Sequence, residues 1–308
     1  MDNGTVELII SLLSGSLRIM IPIAFAALGA ILCERAGIIN IGMEGMMLVG
    51  AFAGVWGADL FGNGYVGILF AMVAGGLFGL IHAVLTVHFK TDHIISGLAI
   101  NMLGLGLTSV LLEIIWGNRG NSDEVEGIGY LSIPIIRDIP VIGPIIGNQS
   151  ILFYLLIVLI IVTWLLLYKT VLGLRIRVIG ENPHVADTLG VNVNGIKYLC
   201  VILSGVLAGI GGAYLSVGEV HLFGRDMIAG RGYIALAAMI FGGWNPFGVF
   251  GSSLLFGFAQ SLQIRLQVFT IPVQFIQMIP YVLTILVLIV FHKRNRAPAS
   301  VGKHFRRN

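Results

Sequence analysis

Apolar runs long enough to cross a bilayer alternate with short polar connectors along the chain. Residues 5–33 hold the first run; Arg18 divides it and Pro22 follows, which predicts an interfacial helix over 5–17 leading into a short span over 19–33. Further spans are expected at 41–58, 65–87, 94–116, 150–168, 195–217, 247–264 and 272–291. Gly42, Glu44 and Gly45 interrupt the 41–58 span, and the segment DLFGNG after it reads as a turn. Residues 229–243 are too short for a comfortable crossing, and Gly242, Gly243 and Trp244 end them before Asn245-Pro246. They predict a short or re-entrant helix, tolerated where protein or a water cavity covers its ends. The pattern is that of an all-α, polytopic helical membrane protein with about 8–9 transmembrane helices. Gly75 and Gly79, and Ser204, Ala208 and Gly212, repeat every fourth residue and predict close helix contacts.

Composition agrees with this reading. Of 308 residues, 57% are hydrophobic and only 11% charged, against about 25% charged in soluble domains. Cys33 and Cys200 imply neither a disulfide framework nor a metal site. Asp2 and Glu7, with no basic residue before the first apolar run, predict an uncleaved first span rather than a removable signal. Basic residues separate by loop. Arg35, Lys90, Lys169, Arg175, Arg177, Lys197 and six in the tail fall on one side; Arg119, Arg137, Arg225, Arg231 and Arg265 fall on the other. The first side is expected to be cytoplasmic, which puts the N-terminus outside and the C-terminus inside if 229–243 counts as a crossing. The basic balance therefore reports orientation, not nucleic-acid binding. The chain divides into a single transmembrane domain (1–308), an extracytoplasmic loop (117–148), a cytoplasmic coupling region (173–194) and a basic cytoplasmic tail (293–308).

No nucleotide-binding G-x-x-x-x-G-K-[ST], H-E-x-x-H, CxxC or G-x-S-x-G occurs, so no catalytic residue or metal ligand is expected. If ATP is used, another chain hydrolyses it, and no cofactor is bound here. Polar residues at membrane depth are the functional candidates, because burying them in lipid is costly. Asn40 and Glu44 flank glycines that let the helix open; they either face a polar substrate or, for Glu44, pair with Arg18 or Arg35. Asn101 is a pathway candidate that also reads as interhelical glue, as does His82. Gln260, Gln263, Gln267, Gln274 and Gln277 suggest a wet outer vestibule. Phe241 and Trp244 bracket Gly242 and Gly243, where an aromatic either stacks on a planar ligand or anchors a span at the interface.

The stretch Gly173–Tyr214 contains a short helix marked at both ends. Asn182 caps its start, Pro183 suits its first position, and Gly190 closes it. Val185, Ala186 and Leu189 are expected on one face, with Asp187 and Thr188 turned away. Arg175, Arg177 and Lys197 flank it. Such a helix between two spans reads either as a docking element for a soluble partner or as a surface loop that coils.

The run GLRIRVIGENPHVADTLGVNVNGIKY followed by SGVLAGIGGAYL resembles the membrane subunits of ABC importers of the branched-chain amino acid, ribose and simple-sugar permease family. AGIINIGMEGMMLVGAFAG and GRGYIALAAMIFGGWNPFG are similar to its nucleoside-importing branch, which works with an extracytoplasmic substrate-binding lipoprotein. The likeness extends from about Arg18 to Phe291. It implies a permease subunit in a bacterial inner membrane, paired with a second, related permease chain and driven by cytoplasmic ATPases that alone use ATP. It implies a coupling role for Glu181 to Gly190, and a pathway through Asn40–Glu44 and Gly242–Trp244 for a nucleoside. Simple sugars or branched-chain amino acids are the alternative cargo. A gradient-driven carrier with Glu44 as its ion site is the competing class; a channel would need a ring of charges or a filter repeat, and neither is present.

Overall fold

A computed structural model describes residues 3–132, 142–267 and 297–305, with residues 278, 282 and 285 between them. Most of the expected last span at 272–291, Gln274 and Gln277 included, and the middle of the long loop lie outside the described residues.

Helices carry almost everything. In order they are α1 (Asn3–Arg35), α2 (Met43–Phe61), α3 (Gly64–Ala83), α4 (His93–Trp116), a short α5 (Ile142–Ile146), α6 (Ile151–Lys169), α7 (Val171–Glu181), α8 (Pro183–Thr188), α9 (Val193–Ala213), α10 (Arg231–Phe241) and α11 (Pro246–Leu266). One wider π turn extends α3 over Val84–His88, and another extends α9 over Tyr214–Val220. Two short strands, β1 (Tyr130–Ser132) and β2 (Asn148–Ser150), pair antiparallel within the long loop, Tyr130 opposite Ser150. Six described helices are long and apolar enough to cross a membrane.

The first helix departs from expectation. It runs unbroken through Arg18 and Pro22. Proline removes one backbone donor, but from Ser16 onward the helix is almost wholly buried, and packing against α9, α10 and α11 keeps it helical through the missing bond. The expected boundary survives in the burial: Leu8, Ile9 and Leu13 are exposed, and Ile21 through Ile31 are not. The second helix begins at Met43 rather than 41, with Gly42 as its N-cap.

Small residues let the core helices touch. A Cβ on Gly75 would stand 2.3 Å from the Gly205 carbonyl, and one on Gly212 only 1.9 Å from that of Met47. The two sequence stripes thus serve different partners. Gly75 and Gly79 meet α9, while Ser204 and Gly212 of α9 meet α1 and α2. The outward side chains of α3, α4 and α6, such as Leu69, Met102, Ile114 and Val158, form an apolar exterior. His82 is glue, as expected: it is buried, shares a hydrogen bond with Ser96 and another with the Ile39 carbonyl, and so ties α3 to α4 and to the α1–α2 loop. Asp92 caps α4 by accepting from Ile95 and Ile94, and those two N–H groups hold its carboxyl below the usual carboxylate range.

Contacts sort the connectors to two ends. At one, the long loop meets the chain after α9: Ser122 N donates to Phe223 O and Arg225 N to Gly120 O. At the other lie the α1–α2 loop, α7, α8 and residues 297–305.

Candidate functional site

Two groups of residues matter, and one broken segment joins the depth of the bundle to the α8 end. The α1–α2 loop runs into the bundle beside α4. Asn40 is fully buried and donates from Nδ2 to Ser204 Oγ at 3.1 Å and to the sulfurs of Met43 and Met46, while its Oδ1 has no partner among the described residues. Asn101 accepts from Gly45 N at 2.8 Å and donates to the Ile41 carbonyl and to Tyr233 Oη at 3.0 Å. It therefore satisfies an orphan donor at the start of α2 and links α4 to α10.

Glu44 does not pair with Arg18 or Arg35. Its two carboxylate oxygens accept from Gly230 N and Gly232 N, each at 2.7 Å. Gly230 is the N-cap of α10 and has no side chain to offer, so Glu44 supplies the cap from another helix. A carboxylate there also complements the positive end of the helix dipole. Arg18 instead stacks over the Tyr130 ring at 5.2 Å, and Arg35 donates to the Trp244 carbonyl and to Tyr168 Oη.

Residues 229–243 were expected to be short or re-entrant. The helix covers 231–241, about 16 Å at 1.5 Å per residue, roughly half a hydrocarbon core. It starts at Glu44, and Trp244 follows its end beside Glu34 and Arg35, at the α8 end of the bundle. Residues 221–230 reach its start from the opposite end without forming a helix. Gly242 lets α10 and α11 touch: a Cβ there would meet Val249 N at 2.5 Å. Gly243 and Trp244 both have positive φ, at 64° and 52°. Trp244 is neither a free stacking platform nor an interfacial anchor. It is buried, and its Nε1 donates to Glu34 Oε2 at 2.7 Å. Phe241 stacks on Phe256.

The pathway candidates therefore fall into two places. Asn40, Glu44 and Asn101 belong to one polar region within the bundle; Gly242, Gly243 and Trp244 sit a helix length away. Tyr233 completes the inner cluster and is 45% exposed beside Asn101. Sequence reasoning did not single it out, although it lies in the GRGY segment that carries the cap-accepting glycines.

The coupling candidates form the second group. Asn182 Oδ1 accepts from His184 N and Val185 N, Pro183 occupies the first turn, and Gly190 has φ of 77° just past the end. The expected caps are all present. The expected face is not. Val185 and Leu189 are 47% and 73% exposed, whereas Ala186 is fully buried. Residues 185 and 186 differ by about 100° around a helix, so Ala186 turns inward while the i, i+4 pair Val185 and Leu189 projects outward beside the exposed His184 and Thr188. Glu181 is exposed, and its Oε2 accepts from Ala299 N. The helix before it, α7, was not anticipated; its Ile176 and Ile179 are buried and its Arg175 is exposed.

Comparison with known proteins places this architecture. Residues 12–288 match the family described as branched-chain amino acid transport system / permease component. The chain is 43% identical over 295 residues to the nucleoside ABC transporter permease protein NupC of Lactococcus lactis, covering 92% of this chain and 93% of that one. It is 42% identical over 294 residues to the guanosine ABC transporter permease protein NupQ of Bacillus subtilis, covering 91% and 92%. A second B. subtilis guanosine permease protein, NupP, is 26% identical over 249 residues, covering 79% and 70%.

Proposed function

The chain belongs to this permease family, and on that premise we propose that it is the membrane-spanning permease subunit of an ATP-driven ABC importer for nucleosides. Similarity over nine-tenths of the chain to permeases named for nucleosides and for guanosine carries the substrate assignment. The absence of a nucleotide-binding motif makes ATP hydrolysis the work of a separate subunit.

In this reading α8 is the coupling helix. Its caps fix it rigidly at one end of the bundle, and Val185 and Leu189 stand out as the apolar surface that an ATPase groove covers. Loop charge makes this end cytoplasmic, with the N-terminus outside and the C-terminus inside. The occurrence of two related guanosine permease proteins in one bacterium supports a related second permease as partner. An extracytoplasmic binding lipoprotein delivers the nucleoside to the opposite end.

The route for cargo passes the inner polar cluster. Asn101 orients the half-exposed Tyr233, whose hydroxyl accepts from the Asn101 amide and keeps its own O–H to donate to a ribose or base edge. Glu44 holds α10 in place at this point, so a tilt of α10 changes what the cluster presents. Closure of the ATPases moves α8 and α7, and that motion reaches α10 through the Trp244–Glu34–Arg35 contacts.

Guanosine uptake into proteoliposomes containing the permease pair, ATPase and binding protein tests the reading. Burying a leucine contributes about 1.5–3 kcal/mol, so Leu189→Asp is expected to weaken ATPase association by at least about tenfold and abolish uptake while the permease still folds. Retained uptake with retained association would reduce α8 to a surface turn. Uptake that persists without the ATPase and follows an imposed ion gradient would make the chain a secondary carrier.

A further inference from the structure

The proposed coupling route has a component that the capped helix does not include. Residues 297–305 do not leave the molecule; they fold back under it between α7 and the α1–α2 loop. Ser300 N donates to Gly180 O at 2.9 Å, and Ser300 Oγ donates to the carbonyls of Ile179 and Gly180. These are carbonyls of the last turn of α7, which lack helical partners. Ala299 N donates to Glu181 Oε2 at 3.3 Å. Two residues on, Gly302 N donates to Gly37 O at 3.1 Å. Gly302 adopts φ of 78°, and a Cβ there would meet Ile39 Cδ1 at 3.0 Å. Phe305 is buried with its ring 5.2 Å from that of His184 in α8, and His304 stands 5.1 Å from His93 at the start of α4.

This short segment thus holds, within six residues, the end of α7, the first turn of α8 and the loop that carries Asn40 and leads to Glu44 in the first turn of α2. Gly180 already packs against the carbonyl of Arg35, where a Cβ would come within 2.2 Å, so α1 and α7 touch there without a side chain between them. A bare backbone contact resists compression but not separation; the hydrogen bonds of 299–302 supply the resistance to separation. We infer that residues 297–305 are a positioning strap of the coupling machinery: they make a pull on α8 move the α1–α2 loop, and with it the Glu44 cap on α10. The inference rests on α8 being the ATPase contact.

The measurement is nucleoside imported per ATP hydrolysed by the assembled importer in proteoliposomes. Three forms are compared with wild type: a chain ending at Arg296, Gly302→Val, and Leu189→Asp. Strain from a β-branched residue at positive φ is of the size that shifts an equilibrium about tenfold. The truncated chain and Gly302→Val are therefore expected to co-purify with the ATPase and hydrolyse ATP, while nucleoside per ATP falls about tenfold. Leu189→Asp instead loses association and hydrolysis together. An unchanged ratio in both strap variants would overturn the inference, as would their losing the ATPase altogether, because the segment would then be a docking surface and not a link. Should the truncated chain fail to assemble, the Gly302→Val ratio decides alone. If Leu189→Asp keeps both association and uptake, the failure lies with the proposed role of α8 and not with the strap.

Discussion

Glu44 is the residue on which the broken segment hangs. Replacing it by alanine removes both acceptors from the N-terminus of α10 and leaves the N–H groups of Gly230 and Gly232 without partners. A hydrogen bond to a charged group contributes about 1.5–3 kcal/mol net, and the helix dipole adds up to about 1 kcal/mol. Two such bonds and the dipole place the cost of Glu44→Ala at about 3–7 kcal/mol. Glutamine keeps one acceptor and turns a donor toward the other N–H, so roughly half of the loss remains. Cys33 and Cys200 are free and buried, which makes them native reporters for a thiol-reactive fluorescent dye during heating. At about 2–4 °C per kcal/mol, Glu44→Ala is expected to lower the midpoint of dye uptake by roughly 10 °C, with Glu44→Gln in between. Glu113→Ala breaks only the exposed pair with Arg119 and serves as control, since such pairs contribute about 0–1 kcal/mol. A Glu44→Ala midpoint within about 2 °C of wild type would refute the cap as a structural anchor.

The remaining predictions use the same heating assay. Gly212→Ala puts a methyl 1.9 Å from the Met47 carbonyl and must force α2 and α9 apart, a destabilisation of about 1–3 kcal/mol or more; Gly106→Ala, with open space around it, is expected to leave the midpoint unchanged or raise it. Trp244→Phe deletes the donor to Glu34 and strands a buried carboxylate, costing about 1–3 kcal/mol. Adding Glu34→Leu should recover part of that loss, and strict additivity of the two changes would show that the pair does not interact.

Sequence reasoning read the local features well. The caps of α8 were legible because capping is settled within three or four residues: Asn182, Pro183 and Gly190 specify the helix whatever surrounds it. The small-residue stripes were legible as interfaces because their i, i+4 spacing needs no partner to be seen. What failed was assignment to one side or the other. Ala186 looked like part of the outward face because two turns of helix define no face until something packs on them. The α7 helix was missed although Ile176 and Ile179 mark a buried stripe, since Gly173 and Gly180 lower helix propensity and the cause of their tolerance, close contact with α6 and α1, is tertiary. At Pro22 the local signal was read correctly and overruled, for the same reason.

The polar region shows why the pathway candidates resist a linear reading more than the coupling candidates do. Glu44 was visible as an anomaly, a carboxylate in an apolar run, and the meanings offered for it, substrate contact, ion pair or ion site, all followed from looking for a partner other than the backbone. Its actual partners are two backbone N–H groups 186 and 188 residues away. Glycine supplies no side chain to cap its own helix, so the need at Gly230 and the means at Glu44 are separate in sequence and recognisable only once the fold joins them. The same holds for Asn101, which meets the start of α2 and Tyr233 at once. A bundle that must move during transport gains from this arrangement. Caps borrowed across helices tie the position of α10 to that of α2 and α4, so no one of the three can shift without breaking one of these hydrogen bonds or carrying its neighbours along.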